Sequence, residues 1–149
     1  GGASKAVTVK LADEGAEEIY LYDIDEEKAK ELVAQAVKSA EKKVKISVIN
    51  KNDIEKIAKE SNLLVNCTPV GMKESDPELL SENVFNSEQV VYDLIYNPPK
   101  TKLLQSAEKK GAQIVNGLGM LVYQGAISFE KWTGKKPDTD IMFRTIKGE

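Results

Sequence analysis

The chain opens with Gly1-Gly2-Ala3-Ser4-Lys5-Ala6 running directly into a helical pattern, and Asp23 follows at the end of the next apolar run. Backbone N–H groups at a helix start, with no side chains in the way, can hold a diphosphate. A carboxylate about 20 residues further on, one strand later, is where dinucleotide folds grip the adenosine ribose hydroxyls. Plainer readings stand beside these. A Gly-Gly start can be a flexible end, and Asp23 or Asp25 can cap the helix that follows, or each residue can do one of the two jobs. Histidine is absent, which removes Ser-His and Cys-His nucleophile pairs and most zinc sites. No metal is expected, and proton transfer would fall to Lys, Asp, Glu or Tyr. The single cysteine, Cys67, sits in the apolar run LLVNC and reads as a small buried side chain rather than a nucleophile.

Three further segments concentrate turn-forming and polar residues after apolar runs. They are Asn66-Cys67-Thr68-Pro69-Val70-Gly71-Met72, Asp93-Leu94-Ile95-Tyr96-Asn97-Pro98, and Asn116-Gly117-Leu118-Gly119-Met120-Leu121-Val122-Tyr123-Gln124. Each could be no more than a turn, or a strand end leading into a helix. Asp93, inside VVYDLIY, reads as a structural acid satisfied by nearby backbone or hydroxyl groups.

Apolar periodicity alternates between helix and strand throughout, and this alternation must position those segments. Helices are predicted over residues 3–14, from Asp25 to Lys42, over 53–60 and 101–110, from Gly119 to Trp132, and over about 138–147. Strands are predicted over 18–23, 44–49, 62–67, 89–95 and 112–116, with a Pro- and Ser-containing loop over 68–77. NLLVNC is the kind of continuous apolar strand that is buried on both faces. Such alternation gives an α/β fold, Rossmann-like and doubly wound, its mostly parallel sheet covered by helices on both faces. In these sheets ligands bind beyond the carboxyl ends of the strands, where the three segments fall.

Taken in this order, the three segments resemble the shikimate dehydrogenase family, whose nicotinamide domain carries NATPxGM, D-x-x-YNP-x-x-T and NGLGMLxxQ. The resemblance covers essentially the whole chain, and Trp132-Thr133-Gly134 with Pro137 matches the family's closing segment. It implies a shikimate/quinate 5-dehydrogenase, reversibly reducing 3-dehydroshikimate to shikimate with NAD(P) in chorismate and aromatic amino-acid biosynthesis. Residues 1–149 would be its C-terminal cofactor-binding half. It further implies that Gly1, Gly2, Ala3, Asp23 and Thr68 lie at the cofactor, that Leu94 and Gly117 approach its nicotinamide, and that Met120 packs nearby. Tyr96 and Gln124 would hydrogen-bond the shikimate. No catalytic residue maps onto this chain, because the family's proton-handling Lys and Asp belong to an N-terminal substrate domain.

Two features depart from the family. NADP-using members commonly read N-R-T after the second strand, where this chain reads Asp23-Ile24-Asp25. A carboxylate suits the ribose hydroxyls of NAD and repels a 2′-phosphate, so NAD is preferred and NADP remains open, Lys28 being the basic group that works against the preference. The family's GxGGA loop and the strand before it are also incomplete here. That strand is central in the order 3-2-1-4-5-6, so its absence leaves two half-sheets with unpaired, buried edges and makes a stable monomer of these residues alone implausible. The expectation is a longer polypeptide with an N-terminal domain.

Composition narrows the remaining classes. With 149 residues, 41% hydrophobic and 30% charged, the chain suits one globular domain, and its net charge of −3 draws it to neither nucleic acid nor an anionic membrane. No apolar run reaches the roughly 20 residues of a membrane span, which points to a cytoplasmic protein. A small-molecule substrate is the expected partner, and a homodimer is allowed. Two rivals stand: a quinate/shikimate dehydrogenase of the quinate branch, and a non-catalytic dinucleotide-binding regulatory module.

Overall fold

A computed structural model describes residues 1–148 and divides into two compact units, Gly1–Glu60 and the part from Ser61 onward. In the first unit, α1 (Gly2–Glu14) ends where Gly15 takes a left-handed φ of 95°, which glycine adopts without steric cost. β1 (Glu18–Leu21) follows, and it pairs in parallel with β2 (Lys45–Val48) from Glu18↔Lys45 to Leu21↔Val48. The strand is shorter than EIYLYD because pairing stops at Leu21, leaving Tyr22 and Asp23 beyond its end.

Between these strands runs α2 (Glu26–Ser39). It ends before Lys42 because Ala40 is extended, with ψ 137°, and the Glu41 N–H is taken by Asp13 Oδ1 at 2.7 Å. α3 (Ile54–Glu60) closes the unit. Its buried apolar residues are mostly small: Ala12, Ala29, Ala36 and Ala58, with Ile19 as the one larger aliphatic among the described residues.

The second unit carries a parallel sheet in the order β3 (Leu63–Asn66), β4 (Val90–Asp93), β5 (Gln113–Val115). β3 is not buried on both faces as its composition predicts. Leu63 is 37% exposed and only Asn66 is buried, because β3 pairs with β4 alone among the described residues. An irregular stretch joins β3 to β4, longer than the predicted loop and including a 3-10 turn at Glu82–Val84. It is held by apolar burial, since Val84 is buried and Phe85 enters the core formed by Val91, Leu104, Ala107 and Ala112.

α4 (Lys102–Lys109) begins at Thr101, whose hydroxyl accepts from the Leu104 N–H, and its Leu104 and Ala107 supply that core. α5 (Leu118–Thr133) and α6 (Thr139–Lys147) pack together, with Tyr123 and Phe143 meeting edge-on at 5.7 Å. Parallel strands flanked by helices give the expected α/β class, here as a two-stranded and a three-stranded sheet.

Candidate functional site

The site residues of the first unit lie at α1 and after β1. Gly1 and Gly2 are exposed, and a Cβ at either would meet nothing within 4 Å, so backbone N–H groups at this helix start are open to an anion. Ala3 is exposed on the first turn. An open groove of about 380 Å³ runs along α1; its lining includes Gly2, Lys5 and Val9 but not Asp23.

After β1, the two acids differ in their partners, and the capping role falls to Asp25. Asp25 caps α2, its Oδ1 accepting from the Lys28 N–H at 3.3 Å, and its Oδ2 pairs with Lys28 Nζ at 3.0 Å. The Lys28 ammonium beside it holds the Asp25 carboxyl below the usual carboxylate range, and Lys28 is in turn raised by Asp25. Asp23 accepts only the Asp25 N–H, at 3.0 Å through Oδ1, and stays exposed. Its second oxygen has no hydrogen-bond partner among the described residues. Ile24, 94% exposed, brings no charge. Lys28, the basic group that could have favoured a phosphate, is engaged by a carboxylate.

In the second unit the candidates stand just past the carboxyl ends of the three strands. Leu94 is buried and Gly117 lies against it: a Cβ at 117 would fall 1.9 Å from the Leu94 carbonyl oxygen, and the Gly117 N–H donates to Ile95 O at 3.0 Å. The glycine is therefore demanded by one backbone lying on another, with φ at an ordinary −75°. Met120 follows on the first turn of α5 and is half-buried. Thr68, exposed, is tied to the end of β3 through Asn66 Oδ1, which accepts from Thr68 N at 3.0 Å and Thr68 Oγ1 at 2.7 Å. Tyr96 and Gln124 both present their side chains to solvent. No hydrogen bond joins them among the described residues.

Asp93 is satisfied as the sequence predicts, by backbone and hydroxyl donors: Ile95 N at 3.0 Å and Thr101 Oγ1 at 2.6 Å. Asn66 and Thr101, to which sequence pattern alone gives no role, complete this arrangement. Their signal was register, since Asn66 pairs with Asp93 across β3 and β4, two polar residues ending adjacent apolar strands. Cys67 is half-buried rather than buried. Burial pushes the Tyr92 phenol up, with Cys67 nearby adding to the shift. Asp76 closes the loop after β3, accepting from the Gly71 and Lys73 N–H groups, which hold its carboxyl low. A hollow of about 510 Å³ beside that loop is lined by Met72, Asn97, Pro98 and Thr101 among others, but not by Leu94 or Gly117.

Among the described residues, no cluster of His, Cys, Asp and Glu could hold a metal ion, and no helix is long and apolar enough to cross a membrane. Residues 117–147 match the model of the shikimate 5'-dehydrogenase C-terminal domain. A shikimate dehydrogenase (NADP(+)) of Methanopyrus kandleri is 42% identical over 148 residues, 98% of this chain and 51% of that protein. Among solved structures, a quinate dehydrogenase from Corynebacterium glutamicum in complex with NAD superposes with a TM-score of 0.91 at 25% identity, covering 100% of this chain and 52% of that one. A shikimate 5-dehydrogenase from Listeria monocytogenes, in complex with shikimate and NAD, gives 0.81 at 35% identity, covering 98% and 52%. The chain spans about half the length of the curated relatives it matches.

Proposed function

We propose that the chain, which matches about half the length of shikimate dehydrogenases, belongs to that family and is the cofactor-binding half of a dehydrogenase interconverting 3-dehydroshikimate and shikimate. The observation that carries this reading is the gathering of Thr68, Leu94 and Gly117 past the ends of three parallel strands, where such sheets bind ligands. In the first unit, Gly1, Gly2 and Ala3 offer amides to a diphosphate and Asp23 offers carboxylate oxygens to ribose hydroxyls. In the second, Leu94, Gly117 and Met120 provide apolar packing and close backbone approach for a flat nicotinamide ring, with Thr68 beside it. These residues fit the group chemically. When bound, the nicotinamide supplies or takes the hydride.

The exposed phenol of Tyr96 and amide of Gln124 both donate and accept hydrogen bonds, which suits a polyhydroxylated acid. The proton accompanying the hydride is assigned to a Lys and an Asp outside these residues, in an N-terminal domain of the whole protein. NAD is preferred over NADP. Asp23 would face a 2′-phosphate with like charge, while Lys28 is committed to Asp25. The Methanopyrus relative is named for NADP, so this preference would be a departure within the family.

Steady-state kinetics of the naturally expressed protein, run with shikimate and each coenzyme, test both parts. Shikimate-dependent reduction should proceed with kcat/KM for NAD at least about tenfold above that for NADP, a difference of ~1.4 kcal/mol. A reversed ratio overturns the coenzyme preference, and absence of turnover with both coenzymes overturns the dehydrogenase.

A further inference from the structure

Asp93 is a carboxylate with 0% exposure, and no Lys or Arg pairs with it among the described residues. Its Oδ1 accepts from Asn66 Nδ2 at 3.1 Å and from Ile95 N at 3.0 Å, and its Oδ2 accepts from Thr101 Oγ1 at 2.6 Å. A buried acid held only by neutral donors is a costly way to join segments that apolar packing could also join. Such departures from local rules collect at functional sites.

What the arrangement accomplishes is visible in the donors. Asn66 belongs to the end of β3, and it also holds Thr68 through Oδ1 and Val70 O through Nδ2 at 3.1 Å. Ile95 lies between Leu94 and Tyr96, and its carbonyl receives the Gly117 N–H. Thr101 starts α4 and ends the turn that carries Asn97 and Pro98. Two strand-end segments and the N-cap of α4 thus point donors at one spot. A carboxylate fills it, its two oxygens accepting from all three donors, while an amide would have to reverse the bond to the Thr101 hydroxyl, which can also accept.

We propose that Asp93 is a positioning residue, whose two oxygens fix Leu94 and Tyr96 relative to Thr68 and so set the nicotinamide-side surface of the second unit. This rests on the dehydrogenase reading. The test uses the naturally expressed protein carrying Asp93→Asn, Thr101→Val or Thr101→Ser, measuring kcat with NAD and shikimate and affinities for NADH and for ADP-ribose, which lacks the nicotinamide.

Asp93→Asn and Thr101→Val should each lower kcat and NADH affinity by about tenfold or more, with ADP-ribose affinity held within about twofold. Thr101→Ser, which restores the hydroxyl, should return both to within about threefold of the parent. If Asp93→Asn does not fold, the two Thr101 variants carry the test alone. ADP-ribose affinity falling in step with NADH would mark a merely structural role and overturn the proposal, as would an unchanged Thr101→Val. Parent protein that binds neither NADH nor ADP-ribose fails the dehydrogenase reading itself. Parent binding with indifferent variants fails only the positioning role.

Discussion

A methyl group at residue 117 would need to occupy space 1.9 Å from the Leu94 carbonyl oxygen, and a backbone atom cannot rotate out of the way. Gly117→Ala is therefore expected to destabilise the second unit by about 3 kcal/mol, the upper end of the usual cost of overpacking. Gly119, two residues on, meets nothing within 4 Å of its virtual Cβ, so Gly119→Ala should be neutral or stabilising by up to about 1 kcal/mol through helix propensity. Thermal melts of the two variants check the pair, and equal melting temperatures would show that the Leu94–Gly117 contact does not constrain the fold. Both glycines were legible in the sequence, but not the difference between them. The pattern around Asn116-Gly117 marks a strand end and a helix start, while the contact depends on a residue 23 positions earlier lying beneath it.

At the scale of elements, periodicity located every α-helix and strand among the described residues but missed the 3-10 turn at Glu82–Val84, and it erred otherwise mainly where tertiary contacts trimmed an end. α2 stops at Ser39 because Asp13 captures the Glu41 N–H, a partner 28 residues away that no local pattern shows. The start of α2 was legible, since Asp25 is a good N-cap by type and the structure has it accept from the Lys28 N–H. Its charge gives that start a pH dependence. The folded-state pKa of Asp25 is lowered, chiefly by its hydrogen bond with Lys28, so its contribution is present above the unfolded value, about 3.9, and is lost as pH falls through the lowered one. Lys28 is raised, so its share is present below about 10.4 and is lost as pH rises through the higher folded value. Between those limits the pair should contribute a flat plateau. Asp25→Asn keeps a capping oxygen but no charge, so its urea midpoint at neutral pH should fall by no more than the small amount the parent loses when this residue is protonated, and this residue's part of the acid loss should disappear. An acid limb identical in parent and variant would show that the pair does not titrate with folding.

At the scale of the whole molecule, the two units differ in what holds each together. The second buries Phe85, Val91 and Leu104 in one cluster, and its central strand β4 has a partner on either side. The first buries mostly alanines, and its sheet has two strands, so each has a free edge among the described residues. Full burial of a Val, Leu or Phe is worth roughly 1.5–3 kcal/mol and an alanine much less, so the first unit should open at lower free energy. The sequence does not show how thin the first core is, because burial of alanines depends on which helices approach. Hydrogen exchange followed by mass spectrometry should find peptides of β1 and α1 exchanging well ahead of Val91 and Tyr92. Ligand linkage sharpens the expectation: NAD at about 100 times its Kd stabilises the binding-competent state by about 2.7 kcal/mol, slowing exchange through its openings by up to about a hundredfold. If Gly1–Glu60 grips the adenosine end, that slowing should appear at the start of α1 and around Asp23. Protection confined to the second unit would remove the first from the binding site.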